Sequence, residues 1–369
     1  MINLKKIPFI LSLLSLLTFF TPTNADIKVV ASIKPIHSLA SYLMDGVAKP
    51  DLIVDGYASP HGFAMKPSHA KMLQNADLIF WVGEDLENFL EKPLKSIAKK
   101  AEKIELMEIK GLQVLKFRER NIFDDHDDHG HDDHDDHGKK EDDHDDHDHD
   151  DHGKKEDDHD DHDHDDHGKK EDDHDDHGHD DHVKKDGHDD HDDHDGHEGH
   201  HHGEFDPHIW LDPVNAKVIL KEMAEHLIEN DSKNEATYKS NLKKALNDID
   251  KLTADVKAEL NKSVASIVFH DAYQYFEERF NVNILGAFTV NTDVMPGAEQ
   301  LKEIREVIEH DKVACVFSEP QFNPDIIKAV AKDMNIKTGV VDPLGATLNP
   351  GKSLYFDLIR NMSASFKGC

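Results

Sequence analysis

The amino-acid sequence predicts an α/β protein of two lobes, each with a mainly parallel sheet, joined by a long rigid helix. Three observations point that way. Short apolar runs of strand length alternate with helical patterns in both halves of the chain, which is the βαβ signature of parallel sheets. Between them runs one unbroken amphipathic pattern, Tyr238, Leu242, Leu246, Ile249, Leu252, Val256 and Leu260, at three- and four-residue spacing. An acidic tract that interrupts the first half has almost no apolar residues, so it belongs to neither core.

Residues 1–25 read as a secretory signal peptide: Lys5 and Lys6, an apolar stretch from Ile7 to Phe20, then Thr23-Asn24-Ala25 before a cleavage that leaves Asp26 first. The stretch is short of the ~20 residues a membrane span needs, and no later segment approaches that length, so the mature chain is expected to be soluble. No Cys lies near the cleavage point to carry a lipid anchor. A bacterial periplasm fits.

Residues 26–123 form the first lobe in this reading. Ile27 to Ile33, Leu52 to Val54 and Leu78 to Val82 are extended, with helices after Pro35 and from Pro67. Residues 124–202 are the interruption, built on Asp-Asp-His. The 369-residue chain carries a formal net charge of -34, and this tract alone holds 34 Asp and 24 of the 31 His. With Val183 its one apolar residue, it cannot offset the entropy of ordering and is expected to be a disordered insertion. Its interleaved imidazoles and carboxylates suit several weak, exchanging sites for Zn, Cu or Ni. The plainer alternative is a low-complexity solubilising tract.

Residues 203–230 return to the first lobe, where Asp212-Pro213 supplies an N-cap and a first-turn proline for a helix with Leu220, Met223, Ala224 and Leu227 on one face. Ser232-Lys233-Asn234-Glu235 reads as a capping box opening a linking helix over 231–261. At 1.5 Å per residue a helix of about 30 residues is roughly 45 Å long, more than either lobe needs alone. The second lobe, 262–369, repeats the alternation, with extended runs at Val264 to Phe269, Ile284 to Phe288, Val313 to Phe317 and Lys337 to Val341. The two cysteines, Cys315 and Cys369, are expected to pair in an oxidising compartment. In the chain-entropy account that staple contributes roughly 4 kcal/mol.

Ligands of open parallel sheets sit beyond the carboxyl ends of the strands. His61 lies in the loop after Leu52-Ile53-Val54, His270 follows Val264 to Phe269, Asp342 follows Val340-Val341, and His208 lies in Asp206-Pro207-His208-Ile209-Trp210. Three imidazoles and one carboxylate make a tetrahedral Zn²⁺ shell. Singly, each has a plainer reading: a histidine hydrogen-bonded near a strand end, or an aspartate capping a turn before Pro343. His37, His69, His226 and His310 fall in or beside helices and read as structural or surface residues.

At these positions the chain resembles the solute-binding proteins of bacterial zinc ABC importers, the ZnuA-like branch of the cluster 9 metal receptors. The resemblance rests on Ala58-Ser59-Pro60-His61, Asn75-Ala76-Asp77-Leu78, Asp206-Pro207-His208-Ile209-Trp210-Leu211-Asp212-Pro213, Phe269-His270-Asp271-Ala272-Tyr273 and Ser318-Glu319-Pro320-Gln321-Phe322. It implies two α/β lobes joined by a long helix with one Zn²⁺ between them, carried as transported ligand. His61, His208 and His270 take the family's histidine positions and Asp342 its carboxylate position. It also implies delivery to a membrane permease with its cytoplasmic ATPase, by a protein expected to be a monomer without enzyme substrate or nucleic-acid partner. Some zinc members have an acidic residue just before the first ligand. Here Pro60 stands there, leaving Asp342 or a water as fourth ligand, with Glu319 as a substitute. Manganese receptors of this fold usually carry a carboxylate at the place of His270, and a third imidazole favours Zn²⁺.

Rival functions are a zinc hydrolase, for which no HExxH pairing is present, a periplasmic zinc buffer or adhesin, and a manganese or iron receptor of the same fold.

Overall fold

The computed structural model describes residues 26–118, 120–122, 203–260, 264–292 and 294–369. Residues 1–25, read above as a signal peptide, and the Asp/His-rich tract 124–202, expected to be disordered, lie outside the described residues. Two sheets of four parallel strands organise the rest. The first is ordered β2-β1-β3-β4, from β1 (Val29–Ile33), β2 (Asp51–Val54), β3 (Leu78–Trp81) and β4 (Glu102–Glu105). Its helices are α1 (Lys34–Leu43), α2 (Pro67–Asn75) and α3 (Glu84–Ser96). Alternate strands and helices follow from the alternating apolar runs, and Pro at the first turn of α1 and α2 fixes where each helix starts.

After 203 the chain enters α4 (Pro213–Asn230), whose N-cap is the expected one: Asp212 Oδ1 accepts from Val214 N at 2.8 Å. The next boundary differs from expectation. Ser232–Asn234 form a separate 3-10 turn without a capping box, and Asp231 anchors it by accepting from Asn234 Nδ2 and the buried Tyr238 hydroxyl. The linking helix α5 therefore spans Glu235–Glu259, 25 residues rather than about 30. At 1.5 Å per residue it is about 38 Å long. Its buried stripe, Tyr238, Ala245, Ile249, Leu252 and Val256, packs against α1 and α4.

The second sheet repeats the first, in order β6-β5-β7-β8, from β5 (Ser266–His270), β6 (Ile284–Thr289), β7 (Cys315–Ser318) and β8 (Lys337–Val340). Its helices are α6 (Gln274–Phe280), α7 (Ala298–His310), α8 (Asp325–Met334) and α9 (Leu354–Lys367). Strand alternation sorts its two faces. Ile267, Phe269 and Val316 join a core beneath α7 and α8, whereas Val268, Cys315 and Phe317 face the core shared with the first lobe. The shared side also holds α9, which packs on α1 and α5, and there Cys315 is disulfide-bonded to Cys369 with Cα atoms 5.9 Å apart. Among the described residues no helix is long and apolar enough to cross a membrane.

The two flanks of the insertion meet: Lys116 and Phe205 form an antiparallel bridge, and Phe117 N donates to Glu204 O. Just beyond, Asn121 and Ile122, which the sequence reading placed in the first lobe, lie along the second sheet. Ala287 N donates to Asn121 O at 2.8 Å, and Ile122 bridges Gly286. A Cβ at Gly286 would stand 2.6 Å from Asn121 O, so only glycine admits this approach.

Candidate metal centre

In both sheets the first strand is flanked by the second on one side and the third on the other, so each has a crevice beyond that strand's carboxyl end. In the first sheet Lys34 fills it. Buried to 4% exposure, its ammonium donates to the carbonyls of Ala346 at 2.8 Å and Leu348 at 3.0 Å, pinning a second-lobe loop. In the second sheet the strand ends on His270. The alternation that points Ile267 and Phe269 into the α7–α8 core turns His270 the other way, toward the first lobe.

There it meets His61, from the loop between β2 and α2, and His208, just ahead of the 3-10 turn Ile209–Leu211. Ring centroids are 5.3 Å apart for His61 and His270, 5.0 Å for His208 and His270, and 5.7 Å for His61 and His208. One ring nitrogen from each lies within 4.8 Å of the others, an arrangement a single ion can draw together. His208 and His270 are buried, and His61 is partly exposed.

Carboxylates stand behind two of these rings. Asp206 Oδ1 accepts from the His208 backbone N at 2.9 Å and lies 2.7 Å from His208 Nδ1, leaving Nε2 for an ion. Glu319 Oε1 lies 3.5 Å from His270 Nδ1. Burial, and then the neighbouring His270, hold His208 well below the ordinary imidazole range. Burial also works to lower His270, but the carboxylates of Glu319, Asp271 and Asp206 together outweigh it and the group ends above its ordinary value of 6.5.

Arg118, on the outgoing flank of the insertion, adds a further layer. Its guanidinium donates to Asp271 Oδ1 at 3.0 Å and Glu277 Oε2 at 2.6 Å. Burial pushes Asp206, Asp271 and Glu277 each up to about 7, with Arg118 opposing it in all three.

Asp342 lies outside the group of three. Its Oδ1 caps the turn after β8, accepting from Gln321 Nε2 at 2.9 Å, Leu344 N at 3.1 Å and Gly345 N at 2.9 Å. Its Oδ2 is buried without a hydrogen bond. The turn-capping reading thus accounts for one oxygen and leaves the other.

None of the other described histidines joins the three. His37 bonds Pro50 O, His69 accepts from Lys66 N, and exposed His310 pairs with Asp311. His226 lies among Glu102, Glu222 and Glu229 on α4 and β4, where Glu102, His226 and Glu229 make a second group of close donor atoms. The roles of Asp206, Asp271, Glu277 and Arg118 were not assigned from sequence. Asp206 carried a local signal, a carboxylate two residues before a histidine, while Arg118 carried none.

Comparison with known proteins places these features in a lineage. Residues 29–369 match the family described as zinc-uptake complex component A, periplasmic. The chain is 42% identical over 343 residues to the high-affinity zinc uptake system protein ZnuA of Brucella abortus, covering 92% of this chain and 91% of that one. Among solved structures, a crystal structure of ZnuA superposes with a TM-score of 0.63 at 18% identity, over 92% of this chain and 99% of the other. A zinc-bound ZnuA lacking its residues 138-173 gives 0.61 at 18% identity, over 93% and 98%. At such identities the structures bear on the fold.

Proposed function

The chain belongs to the periplasmic zinc-uptake complex component A family, and from that membership we infer that it is the zinc-binding receptor of an ABC importer. It captures Zn²⁺ in the periplasm and delivers it to the membrane permease, which works with a cytoplasmic ATPase. The ion is cargo and leaves chemically unchanged. In this proposal the chain is exported by the signal peptide of residues 1–25, and His61, His208 and His270 hold the zinc, with the free oxygen of Asp342 or a water completing the shell. The observation that carries the reading is the convergence of three imidazole nitrogens within 4.8 Å of one another. Three neutral nitrogen donors suit Zn²⁺ over the oxygen-preferring Mn²⁺.

Metal competition on the purified, metal-free protein tests it. Zinc should displace one equivalent of bound manganese or iron(II), and neither should displace zinc. Manganese held as tightly as zinc would contradict the proposal.

A further inference from the structure

Glu319 occupies a place that zinc ligation by three histidines does not use. It follows β7 directly, is 3% exposed, and neither of its carboxylate oxygens has a hydrogen bond. An ionisable group buried without partners is costly, and a fold keeps one where some state of the protein satisfies it. The groups that face it are the His270 Nδ1 edge, 3.5 Å from Oε1, and the buried Tyr273 hydroxyl, which burial and then the Glu319 carboxylate hold well above the ordinary phenol range. None of the three completes a hydrogen bond of normal geometry to another.

Glu319 stands against the His270 ring and outside the group of three donor atoms. Its approach is to Nδ1, as Asp206 approaches Nδ1 of His208 at 2.7 Å. Each lobe therefore supplies one carboxylate–imidazole pair, closed in the first lobe and 3.5 Å apart in the second.

Resting on the zinc reading above, we propose that Glu319 is a positioning residue for zinc capture, accepting the Nδ1–H of His270 so that Nε2 is presented to the ion. The pair tightens to hydrogen-bond distance when zinc engages Nε2. A carboxylate in this position fixes the tautomer and raises the basicity of the ligating nitrogen. Glu319 acts through His270 and does not touch the ion.

The test is zinc affinity, measured by competition with a tight chelating dye at one equivalent of zinc on the full chain. Glu319→Gln should weaken binding about 10- to 100-fold, the usual cost of losing such a partner. Glu319→Asp should recover part of that loss, which a packing defect would not allow. Glu319→Gln should add nothing in a His270→Ala background. The metal-free thermal transition of Glu319→Gln, followed alongside, checks that the variant stays folded. Unchanged affinity in Glu319→Gln overturns the positioning role and leaves the three-histidine reading standing. A full-sized effect of Glu319→Gln in His270→Ala makes Glu319 a ligand in its own right and likewise overturns it. Undiminished affinity in His270→Ala overturns both.

Discussion

His208 and His270 are both buried, yet burial sets the protonation of one and surrounding carboxylates that of the other. Burial holds His208 well below 6.5, whereas Glu319, Asp271 and Asp206 together outweigh burial and hold His270 above it. Zinc binds only neutral imidazole, so near pH 6.5 the first equivalent must displace a proton from His270 and none from His208. Apparent affinity should therefore rise with pH through that range. Calorimetry in buffers of different ionisation enthalpy should detect proton release that declines as pH rises further; no release at pH 6.5 would contradict the assignment. The three histidines were legible in the sequence because strand ends and a short motif locate them without tertiary information. Asp342 was legible only as a position, since whether its oxygens cap a turn or face an ion depends on Gln321 and on the backbone of 344–345. Arg118 was illegible: its partners lie more than 150 residues away.

At the scale of elements, periodicity located the linking helix and every strand of the two sheets but β4, whose Glu-Lys-Ile-Glu run has one apolar residue and so no apolar signal, while helix ends were decided by local competition. Ser232 had the spacing of a cap, but Asp231 reaches Tyr238 and Asn234 and draws the preceding turn into 3-10 form. The turn from β3 into α3 depends on Glu87, which is fully buried and accepts from Val82 N at 2.8 Å and Gly83 N at 3.0 Å. Burial raises its carboxyl from 4.5 to about 7. As pH rises from 4.5 toward 7 the unfolded chain ionises while the folded one retains the proton. The unfolded state then binds fewer protons and stability falls, by up to about 3 kcal/mol for such a shift. Glu87→Gln should remove that component. Its melting temperature relative to the parent should climb between pH 5 and 8, and a constant difference would show that Glu87 does not titrate in this way.

Across the whole molecule, the lobes are tied at several buried points. Lys34 holds the loop after Asp342, Trp210 Nε1 donates to Pro343 O at 2.8 Å, and the Tyr355 hydroxyl donates to Trp210 O at 3.0 Å. None of these ties involves residues 124–202, and the flanks of that tract meet through Lys116 and Phe205. Deleting 124–202 should accordingly leave the metal-free thermal transition within a few degrees of the parent, while removing most zinc bound beyond the first equivalent. Loss of cooperative melting, or retention of all the extra zinc, would contradict this. The central claim is that one zinc is held jointly by His61 and His208 from the first lobe and His270 from the second. Its most direct test is the dissociation constant of the first zinc equivalent in His61→Ala, His208→Ala and His270→Ala, each by chelator competition. The account predicts that every one of the three weakens binding by more than the 10- to 100-fold typical of an outer-shell change; parental affinity in any of them would contradict it.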